Sequence, residues 1–355
     1  MSSTKQRWLG ALVGALALLG SARPAVAWNG AGHMQIALLA YDALPESQRA
    51  RLASLVEQHP RFRDDFLPAL PASITAPAER ARWLFAFAST WPDVARGQPL
   101  FEHGTWHYVN LPLELHGSEL TSCRQARREL PASQRRIAAI DAQRRARGEP
   151  GIPGGDSIRE ALPNNLRTLA DPQAQRQARA LALSWVLHLV GDAHQPLHAV
   201  ALFTERRFVS GDRGGNDILL RERGSLHRVW DGLLGDDASP AALEGALAEL
   251  RRDRARWRAA EVMAKATTPD TWLDEDCELA RRAVYVPAVL AAVARFERDD
   301  RPGRAPEAST SDRAPPTKPE LSLSTAYHQH AADKARERAV QAGLRLAALL
   351  AAIPP

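Results

Sequence analysis

Apolar positions recur at helical spacing along most of the chain, and only brief stretches alternate with period two. Ile36, Leu38, Leu39 and Tyr41 give residues 28–44 an apolar side, which predicts a short turn followed by a helix. Residues 45–80 are polar and punctuated by prolines, as a helix and a loop would be. Residues 82–90 carry Trp83, Phe85 and Phe87 and predict an aromatic-rich helix, while 106–110 alternate as a short extended segment would. Arginines among Ala and Gln across 123–150 predict a solvated helix with a basic face. A turn at 151–155 leads to a helix over 157–169. Asp171-Pro172 then opens a long helix, largely apolar over 178–187, which Pro196 ends. Further on, a loop rich in Gly and charge (210–215) precedes a short extended piece (216–221). Amphipathic helices are expected over 237–264 and 271–289, and a last one over 326–353 presents Leu346, Leu349, Leu350 and Ile353. Between the last two, 299–320 is rich in Pro, Ser and charge and reads as a mobile loop or linker.

Composition adds an address. The 355 residues, 45% apolar, suffice for one large domain or two ordinary ones. Residues 1–27 read as a secretory signal: Lys5 and Arg7 start it, Trp8 to Gly20 is an apolar core, and Ala25-Val26-Ala27 is a cleavage site. That core is too short to span a bilayer comfortably. Cleavage makes Trp28 the mature N-terminus. Removing Lys5, Arg7 and Arg23 with the leader takes the formal net charge from +5 to +2. A near-neutral chain does not announce a nucleic-acid partner by bulk charge, so any phosphate site must be local. Two cysteines in an exported protein, Cys123 and Cys277, suggest a disulfide, with two free thiols as the alternative. Positive charge comes almost entirely from Arg, as in a GC-rich bacterium, and the periplasm or the medium is the expected location.

The densest chemistry lies at residues 188–198, which read His-Leu-Val-Gly-Asp-Ala-His-Gln-Pro-Leu-His. His188 and Asp192, four apart, share a helix face. His198 follows the proline break, where the chain can curl back toward the same point. Two imidazoles and a carboxylate suit zinc. The alternative is a set of satisfied core histidines, although a buried Asp would then need a partner. His227 and Asp231 repeat the four-residue spacing. His33 lies five residues after the expected terminus, whose α-amino group, with a pKa of about 7.7 to 8.0, can lose its proton to a metal. Asp93 and Arg96 form either a plain ion pair or a metal carboxylate beside a phosphate-binding guanidinium. His107, between Trp106 and Tyr108, is either a packed histidine or a ligand. His103 and His116 lie in polar sequence and are expected at the surface. HExxH, GxSxG, a phosphate-binding Gly-Lys loop and Cys-x-x-Cys do not occur.

Taken together these stretches resemble the secreted three-zinc nucleases that prefer single strands, the mung bean nuclease type. The matching stretches are residues 28–33, 91–96, 106–110, 188–198, 214–216, 227–231 and 342–347. The resemblance implies a mainly α fold: one multi-helix domain over 28–355, of the phospholipase C and single-strand nuclease type, with three zincs in a cleft. It implies Asp93, His107, His188 and Asp192 on the first zinc and His198, His227 and Asp231 on the second. Trp28 (amino nitrogen and carbonyl), His33 and Asp192 fall to the third, so that Asp192 bridges two ions. His194 is left for a supporting role. Arg96 would hold a phosphate oxygen, and Asp93, Arg96 and Asp192 form the expected catalytic group. Tyr108, Asn110 and Asn216 would contact substrate. Zinc would activate a water and neutralise the leaving oxyanion, so no protein general acid is required. The implied activity is a monomeric endonuclease cutting single-stranded DNA and RNA to 5′-phosphorylated products and also removing 3′ phosphates from nucleotides.

Three features depart from the family pattern: the insert at 299–320, Asn110 where some members carry an acidic residue, and two cysteines where the family often carries more. The nearest rival, bacterial zinc phospholipase C, shares the fold and the central spacing. It typically has a longer gap from the first Trp to the first His, and Glu in place of Asp231. A non-catalytic zinc or nucleic-acid-binding protein is the third reading, disfavoured by a complete set of nine ligands.

Overall fold

The computed structural model describes residues 28–354 except 150, 222, 266–267 and 299–316. The expected leader and most of the 299–320 insert therefore lie outside the described residues. Fourteen helical segments dominate the described residues. They begin with α1 (Gly30–Ala43), α2 (Glu46–Val56), α3 (Pro77–Ala88) and the single turn α4 (Trp91–Val94). There follow α5 (Cys123–Ala146), α6 (Ile158–Ala170), α7 (Arg176–Asp192) and a second single turn, α8 (Pro196–Ala199). The last six are α9 (Leu226–Asp231), α10 (Pro240–Arg252), α11 (Arg254–Ala264), α12 (Pro269–Leu279), α13 (Pro287–Arg298) and α14 (Thr325–Ala351). The mainly helical single domain expected from the sequence is what the chain forms.

The helix α7 is the axis of the core. Leu183, Trp185, Val186, Leu187, Leu189 and Val190 are all buried although they point in every direction around it, so neighbours cover every face. α6 packs along it, and α1 packs on both α7 and α14. The α1–α14 approach depends on Gly343, where a Cβ would stand 2.6 Å from Leu39 Cβ.

Two small sheets complete the frame. The strand β1 (Leu111–His116) lies between β2 (Glu119–Leu120), antiparallel, and β3 (Val200–Phe203), parallel. Because β1 and β3 run parallel, with Leu111 opposite Val200, the residues just before each strand become neighbours. These are His107 and His198, and Val109 N–H donates to the His198 carbonyl at 2.9 Å. In the second sheet β4 (Leu219–Leu220) pairs antiparallel with β5 (Gly224–Ser225) and parallel with β6 (Glu320–Leu321). Ser225 ends β5 and caps α9 through the Arg228 N–H, which fixes where His227 and Asp231 project.

Several boundaries differ from the periodicity reading. Asp171 does not open α7: its carboxylate accepts from Gln173 N–H in a turn, and the helix starts at Arg176. α7 ends at Asp192, ahead of Pro196, which instead occupies the first turn of α8, where its missing N–H costs nothing. The 237–264 helix is two helices, broken at Asp253, whose carboxylate caps Arg256 N–H. The 271–289 helix is also two, separated by a π-turn (Ala280–Val284) ahead of Pro287. Residues Gly104–His107 form a 3₁₀ turn, and extended backbone begins only at Tyr108, too short a run for alternation to identify. His116 is exposed as expected, whereas His103 is half-buried and stacks on Trp106 with ring centroids 3.8 Å apart. Among the described residues no helix is long and apolar enough to cross a membrane.

Cys123 and Cys277 are joined, tying the start of α5 to α12 across 154 residues of sequence. Closing so long a loop restricts the unfolded chain by about 5 kcal/mol in the entropic model. The Cys123→Ser/Cys277→Ser double variant is expected to lose roughly 2 to 5 kcal/mol of stability. Urea unfolding of the two proteins measures it, and coincident midpoints would assign the bond no stabilising role.

Candidate metal centre

Four parts of the chain converge at the C-terminal end of α7. His188 and Asp192 come from its last turns, His33 from α1, Asp93 from α4, and His107 from the 3₁₀ turn before β1. Three triplets place one ligand atom each within 4.8 Å of the others: His33–Asp93–His188, His107–His188–Asp192, and His198–His227–Asp231. The carboxylate of Asp192 is central and fully buried. Its Oδ1 is 3.3 Å from His33 Nε2, and its Oδ2 is 3.0 Å from His107 Nδ1 and 3.3 Å from His188 Nε2. His198 Nδ1 lies 4.0 Å from the same Oδ2, which links the first two triplets to the third. α1 reaches α7 this closely only because residue 191 is glycine: a Cβ there would stand 2.7 Å from His33 Nδ1.

Backbone carbonyls set the tautomers. His188 Nδ1 donates to Ser89 O (2.7 Å), His198 Nδ1 to His107 O (2.6 Å) and His227 Nδ1 to Gly214 O (2.6 Å). Each imidazole so held turns Nε2, as a lone pair, into the cluster. Asp231 is held too. Gln195 Nε2 donates to Asp231 Oδ1 at 2.7 Å, and the orientation of the Gln195 amide is decided by Leu197 N–H, which donates to Oε1 at 2.6 Å. Asp231 Oδ2 is left 3.4 Å from His227 Nε2.

The donor set fits metal ions on a direct test. Both ring nitrogens of His33, Asp192 Oδ1, His198 Nε2 and His227 Nε2 are buried without a hydrogen-bond partner. Unsatisfied polar atoms gathered at one buried point need a cation. The titration behaviour agrees. Burial, then the neighbouring His188, lowers His33 to about 4, and burial, then His198, lowers His227 to about 3. Burial likewise lowers His107 and His198, so these rings are neutral and able to ligate at pH 7. For His188 burial works downward, but the carboxylates of Asp192 and Asp93 prevail and raise it. Burial works to raise Asp192, but His188 and His198 hold it well below the usual range. Asp231 is raised well above that range by burial, which prevails over the hydrogen bond from Gln195 that works downward.

Residues 28–354 match the S1/P1 Nuclease family. The chain belongs to the S1/P1 nuclease family. Among similar proteins are Endonuclease 5 and Endonuclease 4 of Arabidopsis thaliana, each 30% identical over 119 residues. Those residues make up 29% of this chain and 37% of each relative, so the chain spans little more than a third of the curated relatives it matches.

The remaining residues named by the resemblance to S1/P1 nucleases occupy different surroundings. Arg96 is partly exposed, its Nε and Nη2 on Asp93 Oδ1 (2.9 and 2.8 Å), while Asp93 Oδ2 faces His188 at 4.0 Å. Trp28 is fully buried and its indole N–H donates to Gly191 O at 3.0 Å. Tyr108 and Asn110 line a groove beside His107, with Asn110 in left-handed backbone (φ 56°), which Asn tolerates. Asn216 is engaged in its own loop, donating to Arg213 O and accepting from Ser225. His194 faces away from the cluster, between Val190 O (2.7 Å) and the buried Arg345 guanidinium (2.9 Å). Sequence reasoning did not single out Gln195. Its only signal was a lone amide within an otherwise apolar and ligand-bearing stretch. Nor can sequence show the carbonyls of Ser89, His107 and Gly214, since backbone groups leave no trace in residue identity.

Proposed function

We propose that this protein is an exported, zinc-dependent endonuclease that hydrolyses phosphodiester bonds of single-stranded DNA and RNA. It leaves 5′-phosphorylated products, acts also on 3′-nucleotides, and works as a monomer. The observation that carries this reading is the convergence of orphaned Nε2 and carboxylate atoms around Asp192. Asp93, His107, His188 and Asp192 would hold one zinc, His198, His227 and Asp231 a second, and Trp28, His33 and Asp192 a third. Bound zinc supplies a Lewis acid and a lowered pKa for water near the phosphate.

The protein's own groups supply position and charge. Arg96, partly exposed and held by the metal-facing Asp93, would stabilise the negative charge that builds on a phosphate oxygen. Asp93 orients that guanidinium through Oδ1 and keeps Oδ2 toward His188. The Tyr108 ring offers a stacking surface that only an unpaired base can reach. The disulfide and the leader-like residues 1–27 support export.

The test is hydrolysis of single-stranded DNA and RNA by protein beginning at Trp28, with EDTA and then with zinc restored. Expected is EDTA-sensitive release of 5′-mononucleotides that zinc rescues. Hydrolysis of phosphatidylcholine with both polymers intact would replace this reading with a phospholipase.

A further inference from the structure

The Gly- and charge-rich loop at 210–215 holds a carboxylate that the proposed function leaves unused. Asp212 is fully buried, where an ion is costly unless its oxygens are well supplied with donors. Three segments supply them. Leu202 N–H, in β3, donates to Oδ1 at 2.9 Å, and the buried Tyr285 hydroxyl, just after the π-turn, donates to Oδ2 at 2.9 Å. The Gly215 N–H donates to the same carboxylate from within the loop.

The backbone held by these bonds is an unfavourable one. Arg213, Gly214 and Gly215 all have positive φ (55°, 59° and 80°), and for Arg213 this is the left-handed region that a side chain disfavours. The Arg213 side chain is largely exposed and pairs loosely with Asp217, at 3.4 Å, so the restraint comes from the Asp212 side. Such a conformation persists only where its surroundings over-determine it, and it gathers at functional sites. What this turn presents is the Gly214 carbonyl, which accepts from His227 Nδ1 at 2.6 Å. The Gly215 carbonyl accepts from the His227 backbone N–H at 3.4 Å. Ring and backbone of His227 are therefore both tied to the turn that Asp212 closes.

We propose that Asp212, with Tyr285 as its partner, is a positioning residue for the second zinc: it locks the 213–215 turn so that Gly214 O aims the His227 ring. The inference rests on the nuclease reading for the identity of the ion, and deepens it by naming what preorganises one of the ligands. Asp212 acts at two removes, through Gly214 and His227.

The experiment compares the zinc-loaded protein with Asp212→Ala, Asp212→Asn and Tyr285→Phe, each labelled with ¹⁵N-histidine. NMR reads the Nδ1–H protons of His188, His198 and His227, all three of which donate to backbone carbonyls. In Asp212→Ala and Tyr285→Phe the His227 proton alone is expected to shift and to exchange faster. A chelator should then strip one zinc of the three at a roughly tenfold lower concentration than from the parent, and excess zinc should restore kcat. Asp212→Asn, which keeps an accepting carbonyl, is expected to retain that zinc better than Asp212→Ala. Tyr285→Phe removes one hydroxyl and keeps the ring, so it reports even if Asp212→Ala fails to fold. An unchanged His227 proton with unchanged zinc retention in the folded variants, or equal disturbance at all three histidines, overturns the assignment. The His227-selective effect in a protein that leaves DNA and RNA intact supports the assignment and overturns the nuclease reading.

Discussion

Asp192→Asn is expected to eliminate phosphodiester hydrolysis while leaving the fold intact. Losing a group that only buttresses a metal ligand costs about 10- to 100-fold. Asp192 is asked to do more, because its two oxygens face different partners: Oδ1 addresses His33, and Oδ2 addresses His107 and His188. Asparagine keeps the shape but removes the charge and turns one oxygen into a donor. That NH₂ cannot ligate a cation, and it would hydrogen-bond an imidazole lone pair that a metal needs. Two ions should therefore be lost or weakened together. Asp231→Asn is the control: it touches a single triplet, and the Gln195 amide that now donates to Oδ1 could still donate to the remaining carbonyl. Zinc content by atomic emission, alongside circular dichroism and kcat, measures the difference. Should Asp231→Asn lose more zinc and more rate than Asp192→Asn, the bridging role of Asp192 is wrong.

How much of this was legible beforehand follows from the physics of each feature. His188 with Asp192, and His227 with Asp231, were visible because a four-residue spacing on a helix is a local rule that needs no tertiary knowledge. The helices themselves were legible as periodicity, but their ends were not. α7 starts and stops where an Asp turn and a proline at a new helix start decide, and both lie beyond the reach of a hydrophobic pattern. That Asp93 and His107 join the same cluster was not readable from their neighbours, where an ion pair and a packed histidine served equally well. Resemblance supplied that, and the parallel pairing of β1 with β3 supplies the physical cause for His107 meeting His198.

A chain that begins at Trp28 is expected to bind one more zinc, and to work faster, than the same chain with residues left in front of it. The start of the described chain is clamped between the two halves of the site. Trp28 is buried with its indole on Gly191, the residue before Asp192, and Asn29 N–H donates to Asp231 O at 3.1 Å. His33 follows one helical turn later, bonded through its own N–H to Asn29 O. A free α-amine at this point, with a pKa of about 7.7 to 8.0, gives up its proton to a cation at modest cost. An amide nitrogen in a continuing peptide has no such lone pair, so an extension removes a ligand without altering any side chain. The cost in zinc affinity at that position should be no smaller than the roughly 10- to 100-fold that follows loss of an outer hydrogen bond to a ligand. One preparation carrying a protease-removable extension, assayed before and after removal, keeps folding history constant. Zinc per chain should rise on removal and kcat should rise with it. Equal zinc and equal rate in the two forms would place the third ion elsewhere and leave His33 with another role.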